Sequence, residues 1–222
     1  MDLGPLLLSF EVATIATLLA AVIGIAAASL LATFRFPGRD LLDVLFTAPM
    51  VMPPTVLGYY VLVLLGRRSV LGHAYEALTG RSIVFTVEGA VIAATIGALP
   101  LVVKSVRAAL EQTDPTLMLA ARTLGATHLR AFFSVQLPLA RRGIAAALML
   151  AFARAAGDFG VTLMVAGDIP GKTQTASLAI YDAIQAQRER EATTMVVVLT
   201  VMVLGLLYAV GKLTAPRRSD ER

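Results

Sequence analysis

The sequence predicts an all-α membrane protein with about five transmembrane helices. Hydrophobic residues make up 57% of its 222 residues, and the mean hydropathy is +0.78. Charged residues make up only 15% of the chain, well below the roughly 25% that is typical of soluble domains. Apolar runs recur along the chain at the length of about 20 residues that a helix needs to cross a bilayer. These observations exclude an ordinary soluble domain.

Five apolar stretches are expected to cross the membrane. They cover residues 8–33, 44–66, 83–103, 138–165 and 192–211. The first is uncharged from Val12 to Thr33, which is longer than the core of a signal peptide, so we expect it to remain in the membrane. We expect residues 1–213 to form one membrane domain and residues 214–222 to form a charged, mobile cytoplasmic tail.

Three prolines interrupt the second stretch. Pro49, Pro53 and Pro54 free backbone carbonyls at membrane depth, where irregular backbone is tolerated only beside protein or a water-filled cavity. A simple helix kink and an irregular, pore-lining segment both fit this pattern. Pro53 and Pro54 are therefore candidate residues of a translocation path.

The polar loop between the third and fourth stretches, residues 104–137, predicts two short helices. Asp114 can cap the first helix, and Pro115 fits its first position, where a missing N–H is not needed. Gly125 can supply the left-handed residue that ends this helix, and Thr127 can cap the second.

An alanine pair in this loop leaves little side chain on one helix face, so that a partner surface can approach closely. The pair, the glycine after it and a later Leu-Pro dipeptide resemble the coupling loop of ABC-importer permeases, the membrane subunits that a cytoplasmic ATPase drives. The residues that carry the resemblance are Ala120, Ala121, Gly125, Leu137 and Pro138. The family usually has Glu just before the alanine pair. Leu119 stands there in this chain, so any salt bridge of that Glu is absent.

Two further segments resemble the molybdate-specific branch of these permeases. They are PPTVLGYY, from Pro53 to Tyr60, and TLMVAGDIPGKTQT, from Thr162 to Thr175. With the loop, the resemblance covers most of residues 8–211. Sulfate permeases share the architecture but usually differ at the double proline. Tungstate and sulfate or thiosulfate stay as alternative cargoes.

The resemblance implies a MetI-like permease that works as a homodimer around a shared translocation path in the cell inner membrane. Its implied partners are membrane lipid, two cytoplasmic ABC ATPase subunits and a periplasmic molybdate-binding protein. The implied mechanism is alternating access between inward-open and outward-open states. ATP and Mg²⁺ would be used by the ATPase, so this chain would bind no cofactor and carry no catalytic residue.

The distribution of basic residues agrees with a cytoplasmic coupling loop. With five spans, twelve of the 19 Lys and Arg residues fall on the side of this loop and six on the other. By the positive-inside rule, the N-terminus is expected outside and the C-terminus in the cytoplasm. The basic residues flank apolar stretches and form no patch interleaved with aromatics. Membrane topology therefore explains the net charge of +4 better than nucleic-acid binding does.

The fourth stretch carries two ionisable residues, Arg154 and Asp158, four positions apart and hence on one face of a helix. Such residues at membrane depth usually face protein or a cavity. A local pair that neutralises itself fits this pattern. So does an arginine that offers positive potential to an anion in transit. Both residues are candidates for the translocation path.

Other function classes lack their signatures. The chain has no Cys, and His73 and His128 are far apart without partners at metal-ligand spacing, so no metal site is expected. A membrane-embedded enzyme would need clustered His, Cys or carboxylate residues. A secondary transporter, the alternative of a different class, would be expected to have inverted repeats and ion-coupling residues, and no repeat is visible.

Overall fold

The computed structural model describes residues 3–214, and within that range the chain is helical with no strand. The helices are α1 (Gly4–Thr33), α2 (Arg39–Val51), α3 (Pro54–Leu65), α4 (Val70–Thr79), α5 (Val87–Glu111), α6 (Pro115–Thr123), α7 (His128–Ala131), α8 (Leu137–Ala156), α9 (Gly160–Ala166), α10 (Ala176–Gln185) and α11 (Glu189–Thr214). A π turn, Phe132–Gln136, joins α7 to α8. Residues 215–222 of the expected tail lie outside the described residues.

Four helical segments of the described chain are long and apolar enough to cross a membrane. They are α1, α5, the continuous α7–α8 segment and α11, and the bent pair of α2 and α3 makes a fifth if it counts as one span. The prediction of an all-α membrane protein with about five spans is confirmed.

Helix α5 lies at the centre of the fold. In its most apolar part 67% of the residues are buried, against 6% in α11. It packs against α1, α8, α2 and α9. Its buried face is rich in small residues, namely Ala90, Ala93, Ala94, Gly97 and Ala98. Small residues let helix backbones approach closely where lipid supplies no hydrophobic drive for association.

Two glycines on the neighbouring helices make this close packing possible. A Cβ added to Gly24 of α1 would lie 2.6 Å from Cγ1 of Val102 on α5. A Cβ added to Gly143 of α8 would lie 2.5 Å from Cβ of Ala109, also on α5. Neither distance is accessible to two carbon atoms in contact, so a larger residue would push α1 or α8 away from α5.

The second span is sharply bent, whereas the sequence left open a simple kink within residues 44–66. The axes of α2 and α3 differ by 118°. Met52 and Pro53 are extended, with ψ angles of 139° and 136°, because a residue before proline is forced out of the helical region. Pro54 then starts α3, where its missing N–H is not needed. Pro49, by contrast, is accommodated inside α2.

The other helices differ from the predicted spans mainly at their ends. Helix α5 begins at Val87 and continues to Glu111, past the expected end at residue 103. The fourth span starts at His128 and ends at Ala156, so the second short helix predicted in the loop is the beginning of that span. The remaining part of 138–165 forms the separate helix α9. Hydropathy marks only the part of a helix inside the hydrocarbon, so polar extensions are missed.

The spans define two ends of the domain. At one end, the backbone N–H of Ala176 donates to Oγ of Ser9 at 2.8 Å. At the other end, which we call the loop end because it carries residues 112–127, the rings of Phe34 and His128 lie 5.9 Å apart. Helices α1 and α5 both run towards the loop end, and α8 runs away from it. The predicted topology requires this alternation.

We expect Gly24→Val to destabilise the fold. The added side chain would overlap Val102, and overpacking of this kind costs about 1–3 kcal/mol. The effect is measured as the change in melting temperature of the detergent-solubilised protein, with size-exclusion chromatography as the probe of unfolding. The matched control is Gly205→Val on α11, where an added Cβ would meet nothing within 4 Å. Equal melting temperatures for the two variants would contradict the packing argument.

Candidate functional site

Helix α6 projects from the loop end of the domain. None of its residues is buried. Leu117 and Leu119 on the helix, and Leu124 directly after it, expose 46%, 59% and 88% of their surface. Exposed leucines on a short helix are typical of a protein-interaction surface. The exposed leucines make α6 a candidate docking surface.

Both predicted caps of the loop are confirmed. Asp114 Oδ1 accepts a hydrogen bond from the backbone N–H of Thr116 at 2.8 Å. Hydrogen bonds from the hydroxyl and the backbone N–H of Thr116 hold the pKa of the Asp114 carboxyl below its usual value. Thr127 Oγ1 accepts from the backbone N–H of Arg130 at 3.3 Å. These caps fix where α6 and α7 begin.

The predicted left-handed residue Gly125 is also confirmed, with a φ of 88°. The N–H of Ala126 donates to the carbonyl of Ala121 at 3.1 Å, and the N–H of Gly125 donates to that of Arg122 at 3.0 Å. This pair of bonds is a Schellman motif, which satisfies the last carbonyls of a helix. Ala121 and Gly125 are therefore spaced as the helix ending requires. Ala120 is exposed, and Ala121 is half-buried.

Leu137 and Pro138 lie where the loop re-enters the membrane span, not on α6. The N–H of Leu137 donates to the carbonyl of Phe132, five residues earlier, and closes the π turn. In a regular α-helix the ring of Pro138 would clash with the carbonyl of Ser134, and the wider π turn relieves this clash. Helix α6 packs against the same turn. The motif residues thus form one structural unit, although only the first three lie at the exposed tip.

An ion network near the loop end links α2 to α5, and sequence reasoning missed it. Asp43 Oδ2 lies 2.8 Å from Nζ of Lys104, and its Oδ1 lies 3.3 Å from Nη1 of Arg107. Glu111 Oε1 lies 2.8 Å from Nε of Arg107 and 3.9 Å from Nη2 of Arg39. The helical spacing of Lys104, Arg107 and Glu111 was the available signal. Hydropathy instead predicts a loop at these three positions, because the apolar run ends at residue 103.

Arg154 and Asp158 form an ion pair, with Nη1 and Oδ1 2.9 Å apart. They do not share a helix as the sequence suggested, because α8 ends at Ala156 and Asp158 lies in the turn before α9. The Asp158 side chain is 2% exposed, whereas that of Arg154 is 37% exposed. Asp158 Oδ2 also accepts from the backbone N–H and the hydroxyl of Thr162, at 3.0 and 2.7 Å.

The bend of the second span and the ion pair meet at one cavity, although about 100 residues separate them in the chain. The cavity has a volume of about 230 Å³, and Pro54 and Arg154 both line it. Its other lining residues are Pro49, Met50, Met52, Leu57, Gly97 and Leu101. Pro53 and Asp158 do not line the cavity. Pro53 is exposed, and Asp158 is buried beside Arg154. Of the described residues that line the cavity, Arg154 is the one with a charge.

The described residues contain no cluster of three or more His, Asp or Glu side chains that could hold a metal ion. The two candidate sites are therefore the exposed helix α6 at the loop end and the cavity beside Arg154. The ion network of α2 and α5 lies between them. Together they comprise an exposed helix, an ion network that joins α2 to α5, and a cavity lined by one cation.

Comparison with known proteins gives one consistent family. The family model described as "Binding-protein-dependent transport system inner membrane component" matches residues 20–218. The chain is 39% identical over 216 residues to the "Molybdenum transport system permease protein ModB" of Escherichia coli (strain K12), covering 97% of this chain and 94% of that protein. It is 33% identical to the "Sulfate transport system permease protein CysT" of Salmonella typhimurium, covering 90% of this chain and 72% of that protein.

A solved structure with the same fold is that of a bacterial alginate ABC transporter in complex with an alginate pentasaccharide-bound periplasmic protein. The match has a TM-score of 0.75 and covers 99% of this chain and 79% of that chain. At 15% sequence identity, it establishes the fold alone.

Proposed function

Because the chain belongs to the family of binding-protein-dependent transport system inner membrane components, we propose that it is the permease subunit of an ABC importer for molybdate. The observation that carries the proposal is the 39% identity to a molybdenum transport permease over 97% of the chain. The exposed helix α6 and the cavity beside Arg154 are the features that such a subunit needs. The permease is a multi-pass protein of the inner membrane.

Energy enters the permease through α6. Its exposed leucines and the small side chains of Ala120 and Ala121 offer a surface on which a cytoplasmic ATPase subunit docks. The caps and the Schellman motif at Gly125 hold this surface in one conformation. When the docked ATPase moves, α6 therefore moves with it as a rigid body. The ATPase binds ATP and Mg²⁺, and this chain carries no catalytic residue and binds no cofactor.

The ion network couples movement of α6 to the helices within the membrane. Helix α6 follows directly on α5, whose last turns hold α2 through Asp43, Lys104 and Arg107. Each partly exposed ion pair adds at most about 1 kcal/mol to stability, so the main effect of the network is to fix α2 relative to α5. Helix α2 ends at the bend beside the cavity, and movement of α5 therefore changes the shape of that cavity.

The translocation path runs past the bend at Pro53 and Pro54 and past the Arg154–Asp158 pair. The path lies between this chain and a second copy of it, and the two copies rock between inward-open and outward-open states. A periplasmic binding protein delivers the anion at the end opposite to α6. Selection of molybdate rests mainly with that binding protein, because a tight tetrahedral oxyanion site needs several convergent donors.

Uptake by the complete transporter tests the proposed cargo. We expect proteoliposomes with internal ATP and Mg²⁺ to accumulate molybdate from the loaded binding protein. Tungstate, a dianion of nearly the same shape, should compete, and sulfate should compete weakly. Sulfate uptake without molybdate uptake would instead favour the second candidate, which the 33% identity to a sulfate permease supports.

The proposed orientation places α6 in the cytoplasm and α4 outside. Two leucines make a matched pair for testing it, because Leu124 after α6 and Leu78 on α4 are both 88% exposed. The chain has no Cys, so any labelling by a thiol reagent comes from the single cysteine that is introduced. In intact cells, Leu78→Cys should react with a membrane-impermeant maleimide. Leu124→Cys should react only after the membrane is permeabilised in cells that lack the ATPase. Labelling of Leu124→Cys from outside would reverse the orientation.

Docking through α6 predicts that Ala120→Glu uncouples the transporter without unfolding it. Ala120 is exposed, so the change should leave membrane insertion and thermal stability unchanged. In the docked complex the carboxylate would be buried without a partner, which should weaken ATPase binding by about tenfold or more. Co-purification of the ATPase and its stimulation by the binding protein measure the effect.

The control for this variant is Ala77→Glu, the same change at an exposed position of α4 at the opposite end. The Ala77→Glu variant should still co-purify with the ATPase. Normal ATPase binding by Ala120→Glu would contradict the proposal that the ATPase docks on α6.

A further inference from the structure

We propose that Arg154 is the residue that contacts the anion in the translocation path, and that Asp158 and Thr162 are positioning residues for its guanidinium. This inference rests on the proposed function and adds a specific device to it. In this arrangement the Arg154 guanidinium faces the cavity, and the buried Asp158 carboxylate neutralises its charge from the other side. Three features of the structure carry it.

The first feature is the unequal exposure of the pair. The side chain of Asp158 is 2% exposed, but that of Arg154 is 37% exposed and lines the cavity. The carboxylate is therefore shielded from the cavity, while part of the arginine side chain is open to it. Within residues 3–214, Nη1 of Arg154 bonds to Asp158, and no second acceptor is within hydrogen-bonding distance of the guanidinium. The remaining N–H groups are therefore free to donate to an oxyanion.

The second feature is the immobilisation of the carboxylate. Asp158 Oδ1 accepts from Arg154, and Oδ2 accepts from both the backbone N–H and the hydroxyl of Thr162. Because Thr162 belongs to the first turn of α9, the carboxylate is attached to a helix that packs against α3. The carboxylate cannot follow the guanidinium into the cavity. It therefore sets the direction in which Arg154 points.

The third feature is Gly97, which lines the cavity and lets the pair pack against α5. A Cβ added to Gly97 would lie 3.4 Å from Nη2 of Arg154 and 3.6 Å from Oδ1 of Asp158. A side chain longer than that of alanine would compete with the pair for this space. The other lining residues have apolar side chains, so among the described lining residues an anion in the cavity finds a side-chain donor only at Arg154.

The charge balance suits a transporter. An unpaired cation in a low-dielectric cavity would hold a dianion strongly and retard its release. Asp158 brings the net charge of the pair to zero, so the contact is favourable at short range through the guanidinium donors and weak at longer range. Passage requires binding that is strong enough for entry and weak enough for exit. Removing the cation and removing the carboxylate should therefore have opposite effects on anion retention.

The test compares Arg154→Gln, Asp158→Asn and the double variant in proteoliposomes that hold the complete transporter. Turnover of molybdate uptake is measured with the loaded binding protein outside and ATP and Mg²⁺ inside. Retention of molybdate by the detergent-solubilised complex is measured at low salt. We expect Arg154→Gln to lower turnover by about tenfold with unchanged apparent affinity for the binding protein, and to retain no molybdate. Asp158→Asn should also lower turnover, but it should retain more molybdate than the wild type.

The double variant separates this role from a structural one and also removes the risk that a buried, unpaired charge prevents folding. If Arg154 contacts the anion, the double variant folds but stays as slow as Arg154→Gln. If the pair is only structural, the double variant recovers wild-type turnover, and this recovery would overturn the inference. Equal retention by Asp158→Asn and the wild type would also overturn it.

Thr162 supplies a graded check of positioning. Thr162→Val removes the hydroxyl donor to Asp158 but keeps the backbone donor, so turnover should fall less than in Asp158→Asn, and Thr162→Ser should restore it. A Thr162→Val variant with wild-type turnover and retention would exclude Thr162 from this role. If the wild-type transporter carries no molybdate, the proposed function itself fails. If it carries molybdate and the double variant matches it, only the inference fails.

Discussion

Close packing holds helices together in lipid, because apolar side chains gain little free energy by leaving lipid tails for a neighbouring helix. In this protein the close packing is concentrated on α5. The small residues of α5 let α1 and α8 approach at Gly24 and Gly143. At Gly97 the same face leaves room for the Arg154–Asp158 pair. One feature, a helix face without large side chains, thus holds the domain together and opens the cavity beside Arg154.

The same helix also connects the two candidate sites. Helix α5 runs without a break from the level of the cavity to the loop end, where α6 follows it after a short turn. Its last turns hold α2 through an ion network that α2 and α5 share. A continuous α5 with α2 held to it thus forms a physical connection between α6 and the bend at Met52. A flexible joint at residue 104, where the apolar run ends, would have broken this connection.

Local parts of the site could be predicted from the sequence because their causes are local. Asp114, Thr127 and Gly125 act on backbone groups within a few residues of themselves, and the structure confirms each role. The relation of Pro54 to Arg154 could not be predicted, because it depends on how α3, α5 and α9 pack. The bend of 118° also required that packing, since two prolines dictate a break but not its direction.

The all-α membrane class, the number of apolar stretches, the ends of the loop helix and the family resemblance all follow from the sequence alone. Composition, periodicity and capping act through single residues and their near neighbours. The central position of α5 and the ion pairs that join α2 to it are visible only in the tertiary structure. The tertiary structure also shows that Arg154 faces a cavity while Asp158 is buried beside it. Burial and partner choice depend on residues far apart in the chain, and hydropathy does not record which side of a helix meets protein, lipid or a cavity.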